Sequence, residues 1–384
     1  MAQRVATIVY FVHDLTHPDV ARRVALLQDG GASVLLIGFQ RRGGLDASIA
    51  NEVVSLGTTV DGDFTQRTQA VIRSLARLGG LKSLIERGNV IVARNLEMLV
   101  LAAAARRRFL PGKPLVYECL DIHRLMVGAG PVSTGLRLLE ARLMGVSQAL
   151  VTSSPGFERE YFGKYFATLP RVLLIENKVY PDVGVGRATT PARARGRPWR
   201  IGWFGVIRCR DSLEMLTRVA AGVPGLIEVI IAGRPAKAVF ADLDEFKGRP
   251  GINYVGEFAN EEKLGALFRS VDFAWAIDFF AKDSNSAWLL PNRLYRSLYY
   301  GVPPIAVGYV ETGRWLLDRG VGVTLDAFDA DTLRGLLEDM TPERHAVLAE
   351  RACAIPTEAV LTTRAEGRRL VQALVDPSAH GPGR

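Results

Sequence analysis

The sequence predicts an α/β protein built from two doubly wound domains facing a cleft. Three observations carry this. Short apolar, β-branched runs recur with helical patterns between them, which is how a parallel sheet covered on both faces reads. One stretch poor in large apolar residues, Asp182 to Pro198 (DVGVGRATTPARARGRP), breaks that rhythm, and the rhythm restarts after it. The length of 384 residues has room for about two domains at ~150 residues each. Residues 1–180 are therefore read as the first domain, 181–198 as the linker, 199–375 as the second domain and 376–384 as a flexible tail.

In the first half, Arg4 to Tyr10 is a strand, and Pro18 to Asp29 has helical periodicity with a proline suited to its first turn. Gly30-Gly31 ends that helix, and Ser33 to Phe39 is the next buried-type strand. Further strands are expected at Glu52 to Leu56, Asn89 to Ala93, Leu115 to Glu118, Gln148 to Thr152 and Val172 to Ile175. In the second half, Trp199 to Gly205 is a strand and Ser212 to Ala221 a helix. Strands follow at Leu226 to Gly233, Ile252 to Val255, Val271 to Ile277 and Val302 to Val307. Ligands of open parallel sheets bind beyond the carboxyl ends of the strands, so the cleft between the two halves is the expected site.

Composition narrows the class. The chain is 48% hydrophobic and 23% charged, ordinary for a globular protein and unlike a disordered one. Cys119, Cys209 and Cys353 make no disulfide framework and no CxxC, which points to a reducing compartment and against a cysteine zinc site. The longest clean apolar run, Met98 to Ala105, is too short to cross a bilayer, and no secretory leader is recognised. The chain is expected in the cytoplasm.

Charge is uneven. Through residue 198 there are 26 Lys+Arg against 16 Asp+Glu, and in the remainder 22 against 24. The first half is thus net +10 and the second net −2, giving the overall +8. A basic first half suits an anionic partner. Thr65 to Arg87 has apolar residues at helical spacing with Arg67, Arg73, Arg77, Lys82 and Arg87 on its polar face. It reads as a solvated helix or as one lying on anionic lipid at the inner membrane face. No stacking aromatics interleave the charge, so nucleic acid is not expected as a partner.

Glycines stand at three strand ends of the second half: Gly205 before Val-Ile-Arg208-Cys-Arg210, Gly233 before Arg234, and Gly256 before Glu257-Phe258. Each permits close backbone approach, and the arginines can add charge-assisted bonds to a phosphate. Each alone is usually just a turn; three together with arginines nearby point as much to a phosphate or nucleotide. The stretch from Asp278 to Pro304 places Pro291 at a helix start, with Asn292 and Arg293 in its first turn and Arg296 in the next. Another helix begins near Glu311. In the first half, His13, Asp14 and His17 follow the first strand, and Asp121, His123 and Arg124 follow the strand at 115–118. His and Asp there serve either as turn and cap residues or to deprotonate an attacking hydroxyl. No HxxxH or HxH spacing supports a metal, and neither GxSxG nor a P-loop is present.

Together these stretches resemble the GT-B-fold glycosyltransferases related to family 4, over roughly residues 4–375. The strongest match is Pro291-Asn-Arg-Leu-Tyr-Arg-Ser-Leu-Tyr-Tyr-Gly301-Val-Pro-Pro, supported by Gly202 to Asp211 and by Val151 to Phe157. The opening YFVHDLTHPDVARRVALLQDGGASV and the segment SNSAWLLPNRLY are similar to transferases of bacterial exopolysaccharide assembly, of the succinoglycan type. The resemblance implies two Rossmann-like domains and transfer of a sugar from a nucleotide diphosphate sugar, with UDP the commonest carrier, to a hydroxyl of a saccharide acceptor, lipid-linked in such pathways. It implies no cofactor and no metal, the nucleotide sugar being a co-substrate. Donor contacts would come from Gly205, Arg208, Arg210, Gly233, Arg234, Gly256, Glu257, Phe258, Asn292, Arg293 and Arg296. Asp121 would be the first candidate for a base, then His13 and Asp14, with His123 and Arg124 toward the acceptor. The family's E-x7-E pair is replaced here by Trp288 and Arg296. That departure keeps open a nucleotide-sugar epimerase of the same architecture, or an inactive nucleotide-sugar-binding partner.

Overall fold

The computed structural model describes residues 5–41, 44, 46–59, 64–181, 186–191 and 196–376. The chain divides into two units, residues 1–175 with 362–384, and residues 176–361.

The first unit is built on seven parallel strands: β1 (Ala6–Val12), β2 (Ala32–Gln40), β3 (Glu52–Thr58), β4 (Val90–Arg94), β5 (Leu115–Cys119), β6 (Ala149–Thr152) and β7 (Arg171–Leu174). Their order is β3-β2-β1-β4-β5-β6-β7. Central strands are buried on both faces, and Ile8, Val9, Tyr10, Phe11 and Val12 are fully sequestered. Each such side chain contributes about 1.5–3 kcal/mol. Helices α1 (Pro18–Asp29), α2 (Phe64–Arg77), α3 (Leu96–Phe109) and α4 (Pro131–Met144) link the strands. The expected helix over Thr65 to Arg87 stops at Arg77, and a 3₁₀ turn holding Gly79-Gly80 precedes a short helix, Lys82–Ile85. Two adjacent glycines make continuous helix costly there.

The second unit carries six parallel strands, β8 (Trp199–Ile207), β9 (Ile227–Pro235), β10 (Ile252–Tyr254), β11 (Phe273–Trp275), β12 (Pro304–Val307) and β13 (Val323–Leu325), in the order β10-β9-β8-β11-β12-β13. Its helices include α5 (Arg210–Gly222), α6 (Glu261–Arg269), α7 (Asn292–Tyr299) and α8 (Glu311–Arg319). Trp199, Trp203 and Trp275 anchor the core. The sequence reading has no counterpart to β13, whose three residues are too few to show a period.

The C-terminal helix, Arg364–Val375, departs from the sequence assignment. It belongs with the first unit and packs on α1. Glycines make the approach possible: a Cβ on Gly30 would lie 2.4 Å from the Gly367 carbonyl oxygen, and one on Gly367 would lie 2.6 Å from that of Leu26. Of the expected linker, residues 182–185 and 192–195 lie outside the described residues, as do 377–384 of the expected tail. Arg187, between the two linker gaps, donates to Thr357 Oγ1 at 2.6 Å and to the Cys353 carbonyl at 3.0 Å.

Candidate active site

In the second unit the strand order reverses between β8 and β11: the chain runs outward from β8 through β9 to β10, then returns to β11 on the other side. The carboxyl ends of these two strands therefore diverge around a crevice. Cys209, after β8, ties its two walls together. Its buried thiol accepts from the Ser212 amide at 3.3 Å, capping α5, and from the Phe279 amide at 3.2 Å.

Asp278 follows β11 and is 7% exposed. Its Oδ2 accepts from Arg208 Nε at 2.7 Å and lies 3.7 Å from Arg293 Nη2. Burial pushes this carboxyl up, but the Arg293 and Arg208 guanidinium groups outweigh it and hold it below the usual carboxylate range. Arg293 itself is pulled down by burial and by Arg208, against the favourable pull of Asp278. Its Nη2 reaches the Val206 carbonyl at 3.3 Å, while its buried Nη1 has no hydrogen-bond partner among the described residues. Two cations thus face one carboxylate, and one donor is unspent. Beside them is a small pocket of about 10 Å³, whose wall includes Asp278 and, at the starts of α7 and α8, Pro291, Val310 and Thr312.

The other expected donor residues divide. Arg210 is on α5 but turns to Glu245, 2.6 Å away, and lies over the Phe240 ring. Arg296 closes an ion pair with Glu261 at the start of α6. Both charges are therefore compensated, unlike that of Arg293. Asn292 opens α7, with Pro291 as the residue before it, one position later than the sequence suggests.

Gly205 and Gly233 are register partners on β8 and β9, and the Gly233 amide donates to the Gly256 carbonyl at 2.9 Å. The three glycine-bearing strand ends do come together. Their reason is local: Gly233 has φ 130°, and a Cβ there would lie 1.9 Å from the Gly205 carbonyl oxygen. Gly233→Ala is expected to cost about 3 kcal/mol or more in urea unfolding, by overlap and backbone strain together. Unchanged unfolding would show that the strands separate freely there. Arg234 and Glu257 are exposed, and Phe258 packs on the core beneath.

In the first unit the corresponding reversal lies between β1 and β4. Asp14 is buried, and its Oδ1 accepts from the Thr16 amide at 3.0 Å, Thr16 Oγ1 at 2.7 Å and the Arg41 amide at 3.3 Å. It builds its own turn. His17 caps α1 and His123 caps the turn Arg124–Val127, each through Nδ1, so each neutral ring carries its proton on Nε2. His13 Nδ1 accepts from Asn95 Nδ2 at 3.2 Å. Burial, then Arg41 and Arg94, push His13 well below the usual imidazole range, so it stays neutral and is a weak base. Asp121 and Arg124 are exposed on the loop after β5.

Sequence reasoning missed the cluster beneath them. Glu118 accepts from Tyr10 Oη and from Arg94 Nε at 2.7 Å, and pairs with Arg23 Nε at 2.7 Å. The visible signal was charge inside apolar strands, Arg94 ending β4 and Glu118 in β5. Asp278 and Glu261 were also missed.

No family model matches the chain. It is 40% identical over 381 residues to the succinoglycan biosynthesis protein ExoL of Rhizobium meliloti (strain 1021), covering 98% of this chain and 94% of that protein. Among solved structures it is similar to the sucrose-phosphate synthase of Thermosynechococcus elongatus, with a TM-score of 0.72 at 12% identity, covering 96% of this chain and 98% of that one. It is also similar to Anabaena HepE in complex with UDP-glucose, with a TM-score of 0.66 at 14% identity, covering 97% and 99%. Two parallel sheets flanked by helices, with this likeness to solved structures over nearly the whole chain, make this the GT-B fold. The chain belongs to the family of the succinoglycan biosynthesis protein ExoL.

Proposed function

We propose that this GT-B-fold glycosyltransferase moves a sugar from a UDP-sugar to a hydroxyl of a saccharide acceptor in polysaccharide biosynthesis. The observation that carries the reading is the excess positive charge where the second sheet reverses: Arg208 and Arg293 against Asp278 alone, with Arg293 Nη1 unspent. As the bond from the sugar to the diphosphate breaks, negative charge grows on the departing oxygen. Guanidinium groups already in place stabilise it without reorganising. The relatives add support, one named for succinoglycan biosynthesis and one solved with UDP-glucose. A thermal-shift screen of nucleotide diphosphate sugars tests this. A UDP-sugar at a hundred times its dissociation constant should stabilise by about 2.7 kcal/mol. Silence across the whole panel removes the reading.

The acceptor is read as lipid-linked, and the enzyme as working at an anionic membrane face. Among the described residues no helix is long and apolar enough to cross a membrane. On α2, Arg67 pairs with Glu97, and beyond that helix Arg87 pairs with Glu52, so the basic stretch first noted is partly spent within the protein. Helix α4 is the better candidate. It exposes Val132, Leu138 and Leu139 beside Arg142, and its one acid, Glu140, is buried between the Tyr117 and Tyr161 hydroxyls. Apolar side chains rimmed by cations suit an anionic interface. Co-sedimentation with phosphatidylglycerol vesicles should fall about tenfold in a Leu138→Glu, Leu139→Glu double variant. Wild-type protein left in the supernatant at low salt rejects the idea.

A further inference from the structure

The charge around Glu118 does not balance. Arg23 and Arg94 are 7% and 3% exposed, Glu118 is 1% exposed, and Tyr10 is held neutral because burial first, and Glu118 second to the arginines' opposing pull, leaves its hydroxyl well above the usual phenol range. Two buried guanidinium groups therefore share one buried carboxylate. The nearby acids have other partners: Asp19 pairs with Arg22, Glu97 pairs with Arg67, and Asp14 Oδ1 accepts from Thr16 and the Arg41 amide, neutral donors that leave its charge in place. Arg94 Nη2 is buried and has no hydrogen-bond partner among the described residues. Burial pulls Arg94 down, but Glu118, Tyr10 and Asp19 outweigh it and hold Arg94 charged, above the usual arginine range. A buried donor left unspent is still costly, and a bound anion is the simplest group that would take it.

Arg94 ends β4, next to β1, where the first sheet reverses. The residue after it, Asn95, has φ 70° and turns its amide to His13 rather than capping α3. We propose that this carboxyl edge holds an oxyanion site, with Arg94 Nη2 as its charged donor and Asn95 and His13 beside it, that takes a phosphate or carboxylate group carried by the acceptor. The depressed His13 supports this, since the surrounding arginines create the positive potential that lowers it, after burial. That the anion belongs to the acceptor rests on the transferase reading; the anion site does not.

Calorimetry on the full chain, with UDP added first so that a donor site is filled, tests the proposal. Inorganic pyrophosphate and methyl glucuronide are the probes, distinguishing phosphate from carboxylate, with methyl glucoside as the neutral control. One anionic probe should bind and the control should not. Arg94→Met should weaken that binding at least tenfold. It should also keep the fold, because Glu118 then faces Arg23 and Tyr10 alone and the buried charge balances. Asn95→Gly preserves a backbone that glycine accepts at positive φ and removes only the amide. It should weaken the same probe about threefold, and it decides the matter if Arg94→Met fails to fold. No anion binding in wild type, or unaltered binding in the folded variants, overturns the site. UDP heat without anion heat leaves the donor reading standing and removes this one; anion heat without UDP heat does the reverse.

Discussion

Arg293→Ala should lower UDP affinity about a hundredfold in calorimetry while leaving the protein folded. The size follows from the bond type: a partly desolvated guanidinium on a phosphate is worth roughly 2–5 kcal/mol when truncated, and each 1.4 kcal/mol is about tenfold. The fold should persist because Asp278 keeps Arg208 at 2.7 Å, leaving one cation against one carboxylate. Arg210→Ala and Arg296→Ala are the controls. Their charges are already matched by Glu245 and Glu261, so donor affinity should move less than about threefold. If all three variants bind UDP like wild type, the excess charge beside Asp278 does not serve a diphosphate. If Arg210→Ala or Arg296→Ala weakens binding as much as Arg293→Ala, the donor lies elsewhere on this edge.

Glu118→Gln should be the most damaging single substitution in the first unit. The variant keeps the shape but leaves two buried guanidinium groups with no counter-charge, and breaking a buried ion pair from one side costs about 3–5 kcal/mol. That is a large part of the roughly 5–15 kcal/mol that holds a typical protein folded. The same residue sets an acid response. Burial alone would raise its carboxyl, but Arg94, Arg23 and the Tyr10 hydroxyl together bring it down from 4.5 to about 2. A carboxyl whose folded pKa lies below its unfolded one stabilises the fold above the unfolded value. That contribution is lost as pH falls through the folded value. Wild-type protein should therefore lose about 3 kcal/mol of stability between pH 4.5 and about 2 from this group. Urea midpoints against pH should show the loss in wild type and a shallower acid slope in Glu118→Gln. Parallel slopes would mean that Glu118 is not ionised in the folded protein.

Among the described residues, twelve of the thirteen strands were legible as apolar runs, the central ones because a strand covered on both faces has no polar face to blur it. Their carboxyl ends, and hence the loops carrying His13, Asp121 and Arg208, followed from the same reading, and Pro291 marked the start of the helix that carries Arg293. The glycines at 205, 233 and 256 were legible as a convergent set, but not as a strand crossing that demands a missing side chain.

The amino-acid order by itself thus determined the two sheets, their alternating helices and the edges on which polar residues gather, since these depend on local period and burial. Only the tertiary structure decided which charges cancel. Arg296 meets Glu261 and Arg210 meets Glu245 across 35 residues of chain, while Arg293 and Arg94 each keep an unspent nitrogen. It also decided that the last helix returns to α1 through Gly30 and Gly367. Spacing along a chain encodes which face a residue takes, but electrostatic compensation and close packing depend on distances that only folding sets.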